Sequence, residues 1–374
     1  MINITPAQRT WKIFKRTKPA VAGLVIIIMA AFAAVLGYLI MPDDSANANH
    51  MNLALSLKKP GTTFTLLLVP KEDKAEAVNI LHKMLFGKPF RYQEVPIKNH
   101  LFKGDSIIVD EYLSDEDKPE RKAYALAQIA ASKIPENQFV KQHITTRTFW
   151  LGTDIYGRDM LSRLILGARV SLAVGLMAVL ISLLIGVTVG ALAGYYGGWI
   201  DSALSWLMNI LWSLPALLLV IALSFALGKG LWQIFIAVGL SMWVEAARLV
   251  RGQVISLKQA EYIEAAKALG YTNRRIISRH ILPNMIGPVL VIASSNFASA
   301  ILLEAGLSFL GFGAQPPVPT WGGMIREHYG YIVMDAAYLA VLPGLAIMLI
   351  VYAFNLVTTG LRDAFDIKSQ NIRL

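Results

Sequence analysis

No cysteine occurs among the 374 residues, which excludes a disulfide framework, a thiolate nucleophile and a cysteine metal site. The phosphate-cradling GxxxxGK[ST] pattern is missing, so ATP bound through a P-loop is not expected in this chain. HExxH and GxSxG are missing as well. The six histidines (His50, His82, His100, His143, His280 and His328) neither cluster in sequence nor fall at metal-ligand spacing. Charge is scarce too, at 16% of residues, and an intramembrane enzyme would need costly ionisable groups inside its spans. The expectation is a chain that is not an enzyme, with no catalytic residue, no metal and no cofactor of its own.

What is present is apolar sequence in long uncharged runs. The chain is 55% hydrophobic, above the roughly 45–50% of soluble domains, and its mean hydropathy is +0.51. Pro19–Met41, Val170–Ile200, Ser202–Gly228 and Ala336–Leu361 carry no charge. Gly230–Trp243 and His280–Leu303 are interrupted only near their ends, at Glu245 and Glu304. About 20 apolar helical residues cross a bilayer core of about 30 Å. These stretches predict an all-α polytopic membrane protein with six transmembrane helices. The first run is too long for the core of a signal peptide and reads as a retained helix.

The net charge of +10 raises the question of nucleic acid, and its placement answers it. Arg9, Lys12, Lys15, Arg16 and Lys18 precede the first span without an acid among them. Arg248, Arg251, Lys258, Lys267, Arg274, Arg275 and Arg279 follow the fourth, and Arg362, Lys368 and Arg373 follow the sixth. With six spans all three groups share one side, the signature of cytoplasmic segments. Both termini are therefore expected in the cytoplasm of a bacterial inner membrane, with the bilayer and not nucleic acid as the partner of this charge. Arg158, Arg163 and Arg169 run against the trend, on the outer side and interleaved with Asp154 and Asp159.

Three regions are expected: a tail and first span over 1–41, a polar extracytoplasmic insertion over 42–147, and a five-helix core over 148–374 with a cytoplasmic loop at 252–284. In the insertion, Thr63–Val69 and Ser106–Val109 read as strands, and Lys74–Phe86 and Glu120–Lys133 read as amphipathic helices. A small α+β unit results. In the core, Gly186, Gly190 and Gly194 form a small-xxx-small ridge for close helix packing. Pro215, Pro288 and Pro343 fall inside spans and predict kinks.

Three stretches carry more than composition. Glu261–Asn284 reads EYIEAAKALGYTNRRIISRHILPN: a thin alanine-rich helix, Gly270 as its stop, Thr272 capping a second helix, and Pro283 ending that helix before the fifth span. Such a helix suits a groove in a partner protein, and an amphipathic helix resting on headgroups has the same pattern. Leu151–Leu172 reads LGTDIYGRDMLSRLILGARVSL, with Asp154–Arg158 and Asp159–Arg163 at i,i+4. On a solvated lead-in helix each pair is worth only about 0.2–0.5 kcal/mol. Leu307–Ile325 reads LSFLGFGAQPPVPTWGGMI, a stiff irregular loop.

These three stretches, with Trp11–Ile27 (WKIFKRTKPAVAGLVII), resemble the C-type permease subunit of the dipeptide, oligopeptide and nickel ABC importers. EAAKALG followed by HILP is similar to the EAA loop with which such permeases dock ATPase subunits. The resemblance assigns coupling to Glu261, Glu264, Ala265, Ala266, Gly270, Leu282 and Pro283, with His280 standing where the general pattern favours isoleucine. It assigns Gly152, Thr153, Asp154, Gly157, Arg158, Asp159 and Arg163 to the motif at the second span. It implies the type I importer permease fold, a second permease, two ABC ATPases holding ATP and magnesium, and an extracytoplasmic binding protein. The implied function is passage of di- or oligopeptides, with a nickel chelate or other small solute as the alternative. The resemblance covers Trp11–Met41 and Phe149 to about Lys368, not the insertion.

Ser295, Asn296 and Ser299 are candidate path-lining groups from their helical spacing, and interhelical hydrogen bonding explains them equally well. A secondary transporter would want ionisable groups near the midplane, whereas Glu245 and Glu304 sit toward span ends in this reading. A receptor acting through residues 42–147 is the remaining alternative.

Overall fold

The structure, a computed structural model, describes residues 6–71, 79–130, 134–228 and 230–365. The basic residues Lys368 and Arg373 and the segment 74–78 lie outside the described residues. A short helix α1 (Pro6–Arg16) leads into α2 (Lys18–Ile40), with Pro19 in the first turn, where its missing N–H is unneeded. Strand β1 (Thr62–Pro70), helix α3 (Ile80–Phe86), strands β2 (Tyr92–Lys103), β3 (Ser106–Glu111) and β4 (Glu120–Ala125), short helices α4 (Leu126–Ile129) and α5 (Glu136–His143), and strand β5 (Ile144–Phe149) follow. The rest is helical: α6 (Met160–Tyr196), α7 (Gly198–Trp212), α8 (Ala216–Leu227), α9 (Leu231–Lys258), α10 (Glu261–Ala268), α11 (Asn273–Ile276), α12 (Ile286–Leu310), α13 (Trp321–His328) and α14 (Tyr338–Phe365).

Among the described residues, five helical runs are long and apolar enough to cross a membrane: α2, α6, α9, Asn273–Leu310 and α14. The third expected span, Ser202–Gly228, is not one helix. Its halves α7 and α8 meet at 94° across Ser213–Pro215. Pro215 lacks an N–H and biases Leu214 away from helix. The halves, of 15 and 12 residues, reach only about 22 and 18 Å. Pro288 falls in the first turn of α12. Pro343 does lie inside α14.

Pro283 was expected to end a helix, and the chain instead stays helical through it. A π-helical turn (Ile277–Ile281) and a 3-10 turn (Leu282–Met285) join α11 to α12. The side chain of Asn284 donates to the carbonyl of His280 at 2.6 Å, satisfying an acceptor near the point where proline interrupts the ladder.

The bundle is held at its centre by the glycine ridge of α6. A Cβ on Gly186 would stand 2.6 Å from the Cβ of Ala246 and 2.7 Å from the carbonyl of Trp243. One on Gly194 would stand 2.8 Å from the carbonyl of Arg251. Only hydrogen at these positions lets α6 and α9 approach so closely, and dispersion contacts then supply what hydrophobic exclusion cannot supply in lipid.

The five strands form one antiparallel sheet in the order β4-β3-β2-β1-β5. Alternation along β1 sends Leu67 to one face, with Val95, Ile107, Val109, Ile129 and Phe139, and Leu66 to the other, with Leu55, Tyr112 and Phe149. Glu120–Ala125, expected as part of a helix, is instead the edge strand β4, paired from Ser106↔Ala125 to Glu111↔Glu120. Backbone pairing along β3 outweighs the helix propensity of its alanines; 131–133 of that expected helix lie outside the described residues. Of the other expected helix, Ile80–Phe86 is helical.

The sheet adjoins the start of α6. Tyr195, at the far end of α6, packs with Ile263 of α10, so 37 residues of helix, about 55 Å, separate the two. Helix α1 packs on the end of α14 through Phe14, Val357 and Ala364. The basic segments on α1, α10–α11 and α14 thus share the end of the bundle opposite the sheet.

Replacing Gly190 by Leu should destabilise the folded bundle by about 1–3 kcal/mol through overpacking. Gly252→Ala, on the open side of α9, should leave stability unchanged or raise it. Thermal unfolding of the purified protein in detergent checks both.

Candidate functional site

Helix α10 is a short helix with one inward side. Ile263 and Ala266 are buried against Val250, Val254, Ile276 and Ile281, while Glu261, Tyr262, Glu264, Ala265 and Lys267 are exposed. Glu261 and Glu264 lie in the first turn and Lys267 in the last, the arrangement the helix dipole favours. Gly270 stops the helix at φ 76° and a side chain there would meet open space. Leu269, just before it, is 73% exposed. The result is a projecting knob with a polar rim.

Hydrogen bonds tie the segment around the knob to the long helices. Tyr195 of α6 donates to Asn273 Oδ1 at 2.8 Å, and Lys258 of α9 donates to the carbonyl of Tyr195 at 2.7 Å. Asn284 also reaches the hydroxyl of Tyr262 at 3.3 Å. Leu282 is half-buried and Pro283 is exposed beside them. Of the expected coupling residues, Ala266 faces inward and the others lie on or beside the knob.

The Leu151–Leu172 motif has a different form from the solvated helix its spacing suggests. Residues 151–159 form an irregular turn, and Asp154, Arg158, Asp159 and Arg163 are all buried. Asp154 accepts the backbone N–H groups of Tyr156 and Arg158 at 2.9 Å each and the Arg158 Nε–H at 2.6 Å. Asp159 does not pair with Arg163. It caps α6 by accepting the Ser162 N–H at 2.8 Å and a further bond from the Ser162 hydroxyl. Arg163 turns to Asp154 (3.6 Å) and Glu327 (3.1 Å), and Arg158 also reaches Glu327 at 2.9 Å. Two guanidinium groups therefore share two carboxylates. Burial pushes the Asp159 carboxyl above its ordinary range, against the two Ser162 bonds.

The rest of the motif anchors the chain entering the sheet. Thr153 Oγ1 accepts the Lys58 N–H at 2.8 Å and donates to the carbonyl of Leu55. Gly152 (φ 76°) and Gly157 (φ 71°) lie against the carbonyls of Lys58 and Asn52, with no room for a side chain. Tyr338 of α14 donates to the carbonyls of Lys58 and Thr153 at 2.8 and 3.1 Å. Gly167 of the same motif receives the ring of Trp321, whose indole N–H donates to the carbonyl of Leu164 at 3.0 Å. The motif on α6 and the proline-rich loop with α13 thus form one unit.

Sequence reasoning missed Glu327 and His328. Asp154, Glu327 and His328 offer ligand atoms within 4.8 Å of one another, but Arg158 and Arg163 already neutralise both carboxylates. A divalent ion would face two buried cations. His328 Nδ1 meets the carbonyl of Met324 at 2.7 Å, and burial pushes its imidazole below the ordinary range. One signal for Glu327 existed: Asp159 is spent as a helix cap, leaving two arginines for one acid.

Within the spans, Ser295 and Ser299 are half-buried, one turn apart on α12. Asn296 does not join them on the accessible side. It is fully buried, and its amide has no partner among the described residues. Glu304 is buried as well and accepts the hydroxyls of Ser171 (3.0 Å) and Ser308 (2.7 Å). Glu245 is exposed and stands at the fifteenth of the 28 residues of α9. Beyond it α9 runs on through Arg248, Arg251 and Lys258, so the carboxylate stands toward the basic end of the fourth span.

Two family models match the chain: the inner membrane component of binding-protein-dependent transport systems over residues 186–369, and the N-terminal transmembrane domain of oligopeptide transport permease C over residues 5–60. The chain is 46% identical over 222 residues to the dipeptide transport system permease protein DppC of Alkalihalophilus pseudofirmus, covering 59% of this chain and 73% of that one. It is 45% identical over 219 residues to the glutathione transport system permease protein GsiD of Pectobacterium atrosepticum, covering 59% and 72%. Among solved structures, a chain of the MetNI methionine ABC transporter in inward-facing conformations aligns with 54% of this chain and 97% of its own, at 20% identity and a TM-score of 0.44.

Asp154→Ala should cost about 3–5 kcal/mol, because it leaves buried guanidinium charge unpaired. Asp159→Ala should cost the about 0.5–2 kcal/mol of a lost cap. Thermal unfolding of both variants in detergent, alongside the parent, gives the comparison.

Proposed function

The chain belongs to the inner-membrane component family of binding-protein-dependent transport systems, as a C-type permease of the peptide ABC importers, and on that premise we propose that it forms, with a second permease, the translocation path for di- or oligopeptides. Two ABC ATPases dock at the end bearing α10 and hold the ATP and magnesium; this chain contributes neither a catalytic group nor a cofactor. That end faces the cytoplasm, in line with its three basic segments, and both termini lie there. The sheet faces outward, where an extracytoplasmic binding protein delivers cargo.

The observation that carries this reading is the form of α10: an inner side locked to α9 and α11 by Ile263 and Ala266, and a projecting side ending in exposed Leu269 and Gly270. A knob of this kind fills a groove on a partner. ATP-driven closure of the ATPases moves the knob. The hydrogen bonds among Tyr195, Asn273, Lys258, Tyr262 and Asn284 carry that movement into α6, α9 and α12. Because the chain stays helical from Asn273 to Leu310, α12 moves with α11, and the bundle rocks between inward- and outward-open states. The half-exposed Ser295 and Ser299 offer passing peptide weak polar contacts, which favour entry without trapping.

Purification of the tagged chain from its membrane in mild detergent should bring down a second permease and two P-loop ATPases. Gly270→Asp should retain the second permease and lose most of the ATPase, since a side chain at Gly270 projects into open space and meets nothing within this chain. Recovery of the chain alone, or full ATPase recovery with the variant, would overturn the docking role.

A further inference from the structure

An ionisable group on a membrane helix is expensive and is kept where it meets water, polar partners inside the protein, a counter-charge or a ligand. Glu304 meets the condition inside the chain, through Ser171 and Ser308. Glu245 does not. It is exposed on α9 toward the basic end of the fourth apolar run, three residues before Arg248, and no described residue forms a hydrogen bond or salt bridge with it.

The surroundings of Glu245 are unlike a lipid-facing surface. Ser241, Glu245, Arg248 and Gly252 follow one another at intervals of four, three and four, one stripe along α9. Gly252 fronts open space. The opposite side of α9 is occupied by the glycine ridge of α6, so the stripe points away from the packed interface. Arg248 is next to Glu245 on the helix but is held elsewhere: it donates to Asn209 Oδ1 at 2.7 Å and lies 4.5 Å over the ring of Trp212. Its Nε is buried and unpartnered among the described residues. The stripe therefore presents a free carboxylate and, one turn along, the exposed end of a guanidinium whose Nη2 group is held by Asn209.

We propose that Glu245 is a binding group of the translocation path, receiving the terminal ammonium of a zwitterionic peptide while Arg248 attracts its carboxylate. The inference rests on the peptide-importer reading and adds a site to it. Charge complementarity selects the cargo over the other occupants: a short peptide carries an ammonium to match the carboxylate and a carboxylate to match the guanidinium. One exposed acid between Ser241 and Arg248 also makes a contact weak enough to release, as passage requires.

The test uses the whole importer, recovered and assayed with Glu245→Gln and Glu245→Asp in cells that depend on it for a dipeptide nutrient. Glu245→Gln keeps size and hydrogen bonding but removes the charge; uptake should fall about tenfold, with unchanged recovery of the second permease and the ATPases. Glu245→Asp should restore uptake to within about threefold of the parent, since the loss from the charge should be largely reversed. Unchanged uptake by the Gln variant overturns the proposal. So does an equal loss with Asp, which would mean that shape and not charge matters. Loss of the second permease from the purified Gln complex would also overturn it, making Glu245 a subunit contact. A parent importer that assembles but takes up no dipeptide would instead remove the peptide-cargo reading beneath it.

Discussion

Two arginines sharing two carboxylates at the head of α6 are the interaction on which the arrangement of the chain depends. Arg158 and Arg163 are almost wholly enclosed, and their acids come from the turn before α6 (Asp154) and from α13 (Glu327). Burying such a set is weak evidence of net stability, because desolvation offsets much of the Coulomb gain. Its effect is on specificity. With one member displaced, uncompensated charge remains inside protein, so alternative placements of α13 against α6 are strongly disfavoured. Trp321 on Gly167 and Tyr338 on Lys58 then have one position available.

From that fixed corner the two ends of the molecule divide their work. The sheet and the 52–60 segment attach directly to the motif through Thr153, Gly152 and Gly157. The far end carries α10, packed by Ile263 and Ala266. Between them, α6 and α9 pass side by side along a glycine ridge too tight for sliding independently. A displacement at α10 therefore reaches the middle of the bundle as movement of whole helices, not as local bending.

Much of this could be read from the residues. Uncharged runs marked five of the membrane helices, Gly186, Gly190 and Gly194 announced close packing, and Thr63–Val69 and Ser106–Val109 were recognisable as strands. The failures have physical causes. Pro215 in an apolar run predicts a kink, and nothing local distinguishes that from the 94° turn between α7 and α8. Glu120–Ala125 has helix-favouring residues, but pairing with β3 decides its form. Asp154 and Arg158 have the same spacing on a solvated helix as in a buried turn; what separates the cases is Glu327, 169 positions from Arg158. Asn296 and Ser295 are neighbours in sequence, and only packing tells which of them is enclosed.

The order of strands in the sheet has a consequence for how this chain can change over generations. Strands β1 and β5, the first and last in sequence, are neighbours, with Thr62 opposite Phe149. The chain thus leaves the sheet beside the point where it entered, and both ends are tied to the motif before α6. From β2 to α5 the segment between them can lengthen, shorten or be replaced without moving a membrane helix, whereas α3 is held to α2 and α6 through Gly87 on Tyr38 and Arg169 on the carbonyls of Met84 and Leu85. The helical core is bound by its contacts to keep its form, whereas the sheet is free to diverge at its own pace.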